Sequence, residues 1–226
     1  MTVSRIEQLK NGRGRVRLTL ADASVFVLYP ADWKELALSQ PAEGEDLPEE
    51  VIARIREELL PLRAKKRAMH LLEKRPYTER RLRDKLEEGE YPAEAVEAAL
   101  DYVRSYGYLD DLQYAKDYIA YRLQTHNRAK LTAALAQRGV DRHVIAEAFD
   151  AVYAECDAAA ADAGTEPDAS ARDGDIARGT ELALLQKELA KKRYDPETYS
   201  YEDKMRLTAA LVRKGFDPAL VREVVL

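Results

Sequence analysis

The residues best placed to do chemistry lie in RSYGYLDDLQYAKDYIAYR, residues 104–122, where five tyrosines surround the adjacent carboxylates Asp110 and Asp111. Paired carboxylates can hold a divalent cation or share general acid and base duties. Either use needs more than the pair: further ligands for a metal, or a partner with a displaced pKa for proton transfer. The histidines of the chain, His70, His126 and His143, lie far apart with no ligand spacing. A plainer role needs no third group. Asp110 and Asp111 directly precede LQYAKDYIAYRL, a stretch of helical periodicity. A carboxylate there accepts hydrogen bonds from the free first-turn amides and suits the positive end of the helix dipole, contributing about 1 kcal/mol. The pair is therefore read as caps, and the chain as a non-enzyme without metal or cofactor. In keeping with this, GRG at residues 12–14 lacks the Lys-Ser/Thr and helix start of a phosphate loop, and no Ser/His/Asp or Cys/His arrangement is evident. Tyr114, Tyr118 and Tyr121 recur at helical spacing, which predicts packing residues with hydroxyls at the rim. Stacking on nucleic-acid bases is the sharper alternative.

Basic residues are the stronger functional candidates. The net charge of -5 conceals a division along the chain. Residues 63–85 carry ten basic side chains against Glu73, Glu79 and Asp84, whereas residues 155–186 carry eight acidic ones against Arg172 and Arg178. Overall acidity therefore does not exclude a polyanion as partner. Three groups stand out: Arg75, Arg80, Arg81, Arg83 and Lys85; Arg122, Arg128 and Lys130; and Lys191, Lys192, Arg193, Arg206, Arg213 and Lys214. Such groups can meet phosphate or an acidic protein surface. Taken singly, each is as well explained by a solvated helix face paired with nearby Glu and Asp.

What must position these side chains is a repeated helical unit. LRDKLEEGEYPAEAVEAAL from Leu82, LTAALAQRGVDRHVIAEAF from Leu131 and LTAALVRKGFDPALVREVV from Leu207 superpose, each reading as helix, sharp turn and helix. Gly139 and Gly215 stand where the first helix of the pair ends in a left-handed conformation, with Val140 and Phe216 folding back on Leu135 and Leu211. Asp141 and Asp217, the latter followed by Pro218, cap the next helix, and Thr78 caps the corresponding helix of the first copy. The first copy departs: Gly89 comes one position early and Glu90 fills the glycine slot, which predicts a distorted or shorter helix end. A further apolar helical stretch precedes each pair, making units of three short helices that gain by stacking on neighbours.

The fold class expected is mainly α, an elongated array of three tandem three-helix repeats preceded by a small β-rich segment. VSRIEQL, RVRLTL and VFVLY predict a three-stranded meander, with Asn11 and Gly12 in a tight turn and a short helix after Pro30. The expected parts are 1–46, the β-rich segment with its helix; 47–109, a connecting helix and repeat 1; 110–156, repeat 2; 157–180, an acidic flexible linker poor in bulky apolar residues; and 181–226, repeat 3. One cysteine, Cys156, allows no internal disulfide. No signal-peptide-like start and no span of about 20 apolar residues is present, so a cytoplasmic protein with no membrane partner is expected.

The run RPYTERRLRDKLEEGEYPAEAVEAALDYVRSYGYLDDLQYAKDYIAYR, with the later LAQRGV and LVRKGF, resembles the RecX family of bacterial recombination regulators. The resemblance covers roughly residues 60–226, and the β-rich start is similar to an extension in some members. It implies a non-enzymatic modulator, likewise elongated, that binds the RecA filament on DNA and most often inhibits recombinase and co-protease activity. The partners it implies are the RecA filament and single- or double-stranded DNA, directly or through RecA, with the chain acting as a monomer. Three departures from the pattern stand out: Arg81 where the family commonly has an acidic residue three after the capping Thr78, the long acidic insertion before repeat 3, and Glu90. A cation near a positive helix end costs about 0.5 kcal/mol, a hint that the face of Arg80, Arg81, Arg83 and Lys85 serves binding. The alternative is a direct DNA-binding helix-turn-helix protein. Against it, PAEAVEAAL and PALVREVVL offer almost none of the Asn, Gln, Arg or Ser that read base edges.

Overall fold

Alternating apolar and polar residues fold the first segment as an antiparallel meander of order β1-β2-β3. Its strands are β1 (Val3–Gln8), β2 (Val16–Leu20) and β3 (Val25–Leu28). The register pairs Ile6 with Leu18 and Leu18 with Phe26, so Val16, Leu18 and Leu20 all fall on the buried face. The structure, a computed structural model, describes residues 1–9, 14–162 and 175–226. The turn expected at Asn11 and Gly12 lies outside the described residues. At the second turn Asp22 accepts a hydrogen bond from the Ser24 amide at 2.9 Å, an Asx turn.

Pro30 opens the short helix α1 (Pro30–Glu35). Further on, α2 (Glu49–Arg54), a π-helical turn over Ile55–Leu59 and α3 (Leu60–Leu72) run as one continuous rod. The wide turn immediately precedes Pro61, which has no amide hydrogen to give the ladder and whose ring crowds the preceding turn. After α3 come α4 (Glu79–Glu87) and α5 (Ala93–Ser105). The inner face of the sheet, Trp33 of α1, Ile55, and the apolar sides of α3, α4 and α5 share one core that extends from Val3 to Leu109. Met1–Asp110 is accordingly one compact unit, in which the β-rich segment and the first three-helix repeat are built together.

The second unit, Asp111–Leu226, holds two further repeats. One consists of α6 (Asp111–Arg122), α7 (Arg128–Ala136) and α8 (Arg142–Asp162), closed around Ile119, Leu131, Leu135 and Phe149. The other consists of α9 (Asp175–Lys191), α10 (Tyr201–Arg213) and α11 (Pro218–Val225), closed around Leu185, Leu211 and Val221. Each such fully buried leucine contributes about 2 kcal/mol by leaving water. Both ends of the segment 157–180 expected as a linker are helical, since α8 reaches Asp162 and α9 starts at Asp175; residues 163–174 lie outside the described residues.

The three inter-helix turns are built alike. The amides of Tyr91, Val140 and Phe216 donate to the carbonyls of Leu86, Leu135 and Leu211 at 3.4, 3.2 and 3.3 Å, and the residue before each amide is left-handed: Glu90 at φ 60, Gly139 at 85 and Gly215 at 90. The shortening expected for the first copy does not occur, α4 and α7 both being nine residues long. Glu90 itself takes up the glycine conformation, at a cost of about 1 kcal/mol. Arg17 of β2 grips its carboxylate with two parallel hydrogen bonds, Nε to Oε2 at 2.7 Å and Nη2 to Oε1 at 2.6 Å. The first turn is thereby tied to the sheet.

Candidate functional site

In the first unit Leu82 and Leu86 bury one side of α4, which forces its charged residues to the flanks and the solvent face. Thr78 caps the helix, its hydroxyl accepting from the Arg81 amide at 3.3 Å. The basic residues then divide. Arg83 is occupied: it forks onto Glu97, with one arm at 3.1 Å, and meets Glu79 at 3.5 Å. The hydrogen bond from Arg83 holds the Glu97 carboxyl below the usual carboxylate range. Lys85 pairs with Glu88, and Arg75 lies over the Tyr77 ring at 4.6 Å. Arg80 and Arg81 are exposed and make no ion pair among the described residues. The outward side of α4 thus presents two uncommitted guanidinium groups.

In the second unit the other two basic groups meet at one cavity through Lys130 and Lys191. Arg122 and Arg128 spend their guanidinium groups on aromatic faces, Arg122 on Tyr118 at 5.1 Å and Arg128 on Phe149 at 4.5 Å. Lys130 instead lines a cavity of about 230 Å³ together with Lys187, Glu188 and Lys191. Lys191 and Lys214 both pair with Glu188, at 3.0 and 2.6 Å. The Lys214 hydrogen bond, then that of Lys191, lowers the Glu188 carboxyl from 4.5 to about 2. Lys130 and Lys187 remain without an ion pair among the described residues. Elsewhere in this unit Lys192 and Arg206 line a second hollow, Arg193 is left-handed at φ 51, and Arg213 donates to the Ala209 carbonyl at 3.3 Å.

The joint between the two repeats of this unit is specific. Asn127 caps α7 by accepting from the Lys130 amide at 3.1 Å, and donates through Nδ2 to the Lys214 carbonyl at 3.0 Å. Asp217 caps α11 through the amides of Ala219 and Leu220 at 2.8 and 2.9 Å, and Asp141 accepts from the His143 backbone amide at 2.7 Å.

Asp111 opens α6, and Asp110 directly precedes it. Among the described residues no group of three His, Cys, Asp or Glu could hold a metal ion, and no helix is long and apolar enough to cross a membrane. Tyr114 and Tyr118 pack against the core of their repeat, whereas Tyr121 is 84% exposed. Reading the sequence missed Lys187, although it precedes Lys191 by one helical turn. It also missed Arg63 and Arg67, which lie inside the basic segment 63–85 and one turn apart on α3.

Models of the first, second and third three-helix domains of RecX match residues 64–102, 110–148 and 180–225. The chain is 30% identical over 152 residues to the regulatory protein RecX of Clostridium tetani (strain Massachusetts / E88), covering 66% of this chain and 68% of that protein. It is 29% identical over 154 residues to that of Clostridium perfringens (strain SM101 / Type A), covering 68% and 71%. Two solved structures share the fold. The crystal structure of regulatory protein RecX superposes with a TM-score of 0.58 at 21% identity, covering 98% of this chain and 97% of that one. RecX from Lactobacillus salivarius gives 0.55 at 15%, covering 74% and 94%.

Proposed function

The chain belongs to the RecX family, and from that premise we propose that it is a non-enzymatic regulator that binds the RecA–DNA filament and restrains recombinase and co-protease activity. It acts as a monomer in the cytoplasm. The observation that carries this reading is the pairing pattern of its cations: Arg80 and Arg81 on α4, and Lys130 and Lys187 beside α9, face solvent uncommitted while their neighbours are neutralised. Uncommitted cations on successive repeats suit a polymer of protein and DNA, because weak contacts on one chain add through effective concentration.

A sequence-reading helix-turn-helix protein is disfavoured by α5, the helix that would enter the groove. It buries Ala95, Val96, Ala99, Leu100 and Val103 and turns Glu94, Glu97 and Asp101 to solvent. Carboxylates there meet phosphate with like charge.

Titrating the chain into RecA strand exchange and RecA ATPase reactions tests the proposal. Both activities are expected to fall at amounts of chain well below one per RecA. Unchanged activities, or tight binding to one duplex sequence without RecA, would overturn it.

A further inference from the structure

A cleft of about 340 Å³ opens in the first unit between the sheet, α3 and the turn that follows α4. Its walls carry four cations, Arg15, Arg63, Arg67 and Lys85, and two carboxylates, Glu88 and Glu90. The pairing around it is asymmetric. Glu90 is gripped by Arg17, which lies outside the cleft and supplies the counter-charge from behind. Glu88 is taken by Lys85. Arg63 is held by Asp32, whose carboxylate is fully buried and also accepts the Tyr29 amide at 2.7 Å, and its guanidinium stacks on the Tyr29 ring at 4.4 Å. Arg15 and Arg67 are left without an ion pair among the described residues. The cleft therefore keeps an uncompensated positive charge beside an arginine fixed in orientation.

The surrounding geometry favours phosphate over a simpler anion. Guanidinium forks match phosphate oxygens in pairs, and the volume holds a phosphate with part of its sugar. Tyr91 lines the same cleft, half-buried, and burial keeps its hydroxyl protonated as a donor. The turn that closes the cleft is left-handed at Glu90, and it packs tightly at Gly89, where a Cβ would fall 3.0 Å from the Tyr91 ring.

We propose that this cleft binds a backbone phosphate of a single-stranded nucleic acid, with Arg15, Arg63 and Arg67 as its direct ligands. A strand rather than a free nucleotide fits because the cations do not stop at the cleft. Lys85 belongs to both the cleft and α4, and Arg81 lies one turn away on the same helix face, exposed and uncommitted. Successive phosphates of a strand can use that line, whereas one nucleotide leaves it idle. The assignment goes beyond the recombinase reading and does not depend on it.

Anisotropy of a fluorescein-labelled oligo(dT), titrated with the full chain in the absence of RecA, tests the site. The double variant Arg15→Ala/Arg67→Ala, which breaks no ion pair among the described residues, is expected to weaken binding about tenfold or more. Its salt slope should flatten by about 0.7, the share of the one single-strand phosphate whose ligands are removed. The control Arg5→Ala/Arg54→Ala removes equal charge elsewhere in the unit and is expected to bind within twofold of the unaltered chain. ATP and tripolyphosphate are expected to compete only at millimolar concentration. Wild-type affinity and slope in the double variant, an equal loss in the control, or no oligonucleotide binding by the unaltered chain would overturn the proposal. Micromolar competition by ATP would also do so, by assigning the cleft to a free nucleotide.

Discussion

Gly215 and Ala129 touch across the joint of the second unit so closely that a Cβ on Gly215 would fall 2.6 Å from the Cβ of Ala129. Gly215 also sits at φ +90, where a side chain strains the backbone. The two effects separate by comparison with Gly107, at φ +70 with open space around it. Gly107→Ala is expected to cost its unit about 1 kcal/mol in denaturant unfolding, from strain alone. Gly215→Ala adds overpacking of about 1–3 kcal/mol. Adding Ala129→Gly should recover much of the second penalty and none of the first. Equal costs for the two glycines would show that the joint yields.

Asn127 makes the same joint polar. It is buried, caps α7 and donates to the Lys214 carbonyl. Asn127→Ala removes both bonds, the cap of α7 and the donor to the Lys214 carbonyl, with an expected loss of about 2 kcal/mol. Asn127→Ser retains a capping oxygen and cannot span to Lys214, so it should fall between. Amide exchange across α10 would register the change, since loss of the bond loosens that end first.

The three repeats were legible because their signal is local. Leucines one turn apart and a glycine in the turn are set by short-range geometry, and the turns over Gly139 and Gly215 carry the hydrogen bonds that this geometry requires. The union of the sheet with the first repeat was not legible, since it rests on pairings such as Arg17 with Glu90, separated by 73 residues. The helical ends of segment 157–180 were misread for a different reason. AAAAD carries no bulky apolar stripe, yet alanine needs no packing partner to favour a helix. The cleft cations escaped notice because Arg15 lies far from Arg63 and Arg67 in the chain and meets them only through the fold.

Glu90 offers a direct test of the tie between turn and sheet. Glu90→Gly relieves the left-handed strain while losing the Arg17 grip, so its net effect should be small. Glu90→Ala keeps the strain and loses the grip, and should be less stable than Glu90→Gly by about 1 kcal/mol. In a double-mutant cycle Arg17→Ala should destabilise the unaltered chain more than the Glu90→Ala background, where only its 3.1 Å pair with Glu7 remains to be lost.

Acid should loosen the second unit through Glu188. Its folded pKa is depressed to about 2 from 4.5 by Lys214 and Lys191, so its stabilising contribution is full above pH 4.5 and is lost as pH falls toward 2. Glu188→Gln removes the charge at every pH. Melting temperatures followed by circular dichroism between pH 6 and pH 2 should show the variant less stable at the upper end and the gap closing toward the lower. A gap independent of pH would mean that packing of the side chain, and not its charge, ties α9 to the end of α10.

The division of labour on α4 predicts that stability and regulation separate by residue. Arg83 is engaged with Glu97 and Glu79, whereas Arg80 and Arg81 reach into solvent. Arg83→Ala should therefore lower the melting temperature of the chain while leaving its effect on RecA strand exchange near that of the unaltered chain. Arg80→Ala/Arg81→Ala should change folding stability by less than about 0.5 kcal/mol, as exposed substitutions do. The amount of chain needed for half-maximal restraint should nevertheless rise about tenfold, the equivalent of about 1.4 kcal/mol of lost contact, and the deficit should shrink as salt screens both proteins alike. If the double variant restrains strand exchange as well as the unaltered chain does, the outward face of α4 is a solvated surface with no part in the proposed restraint.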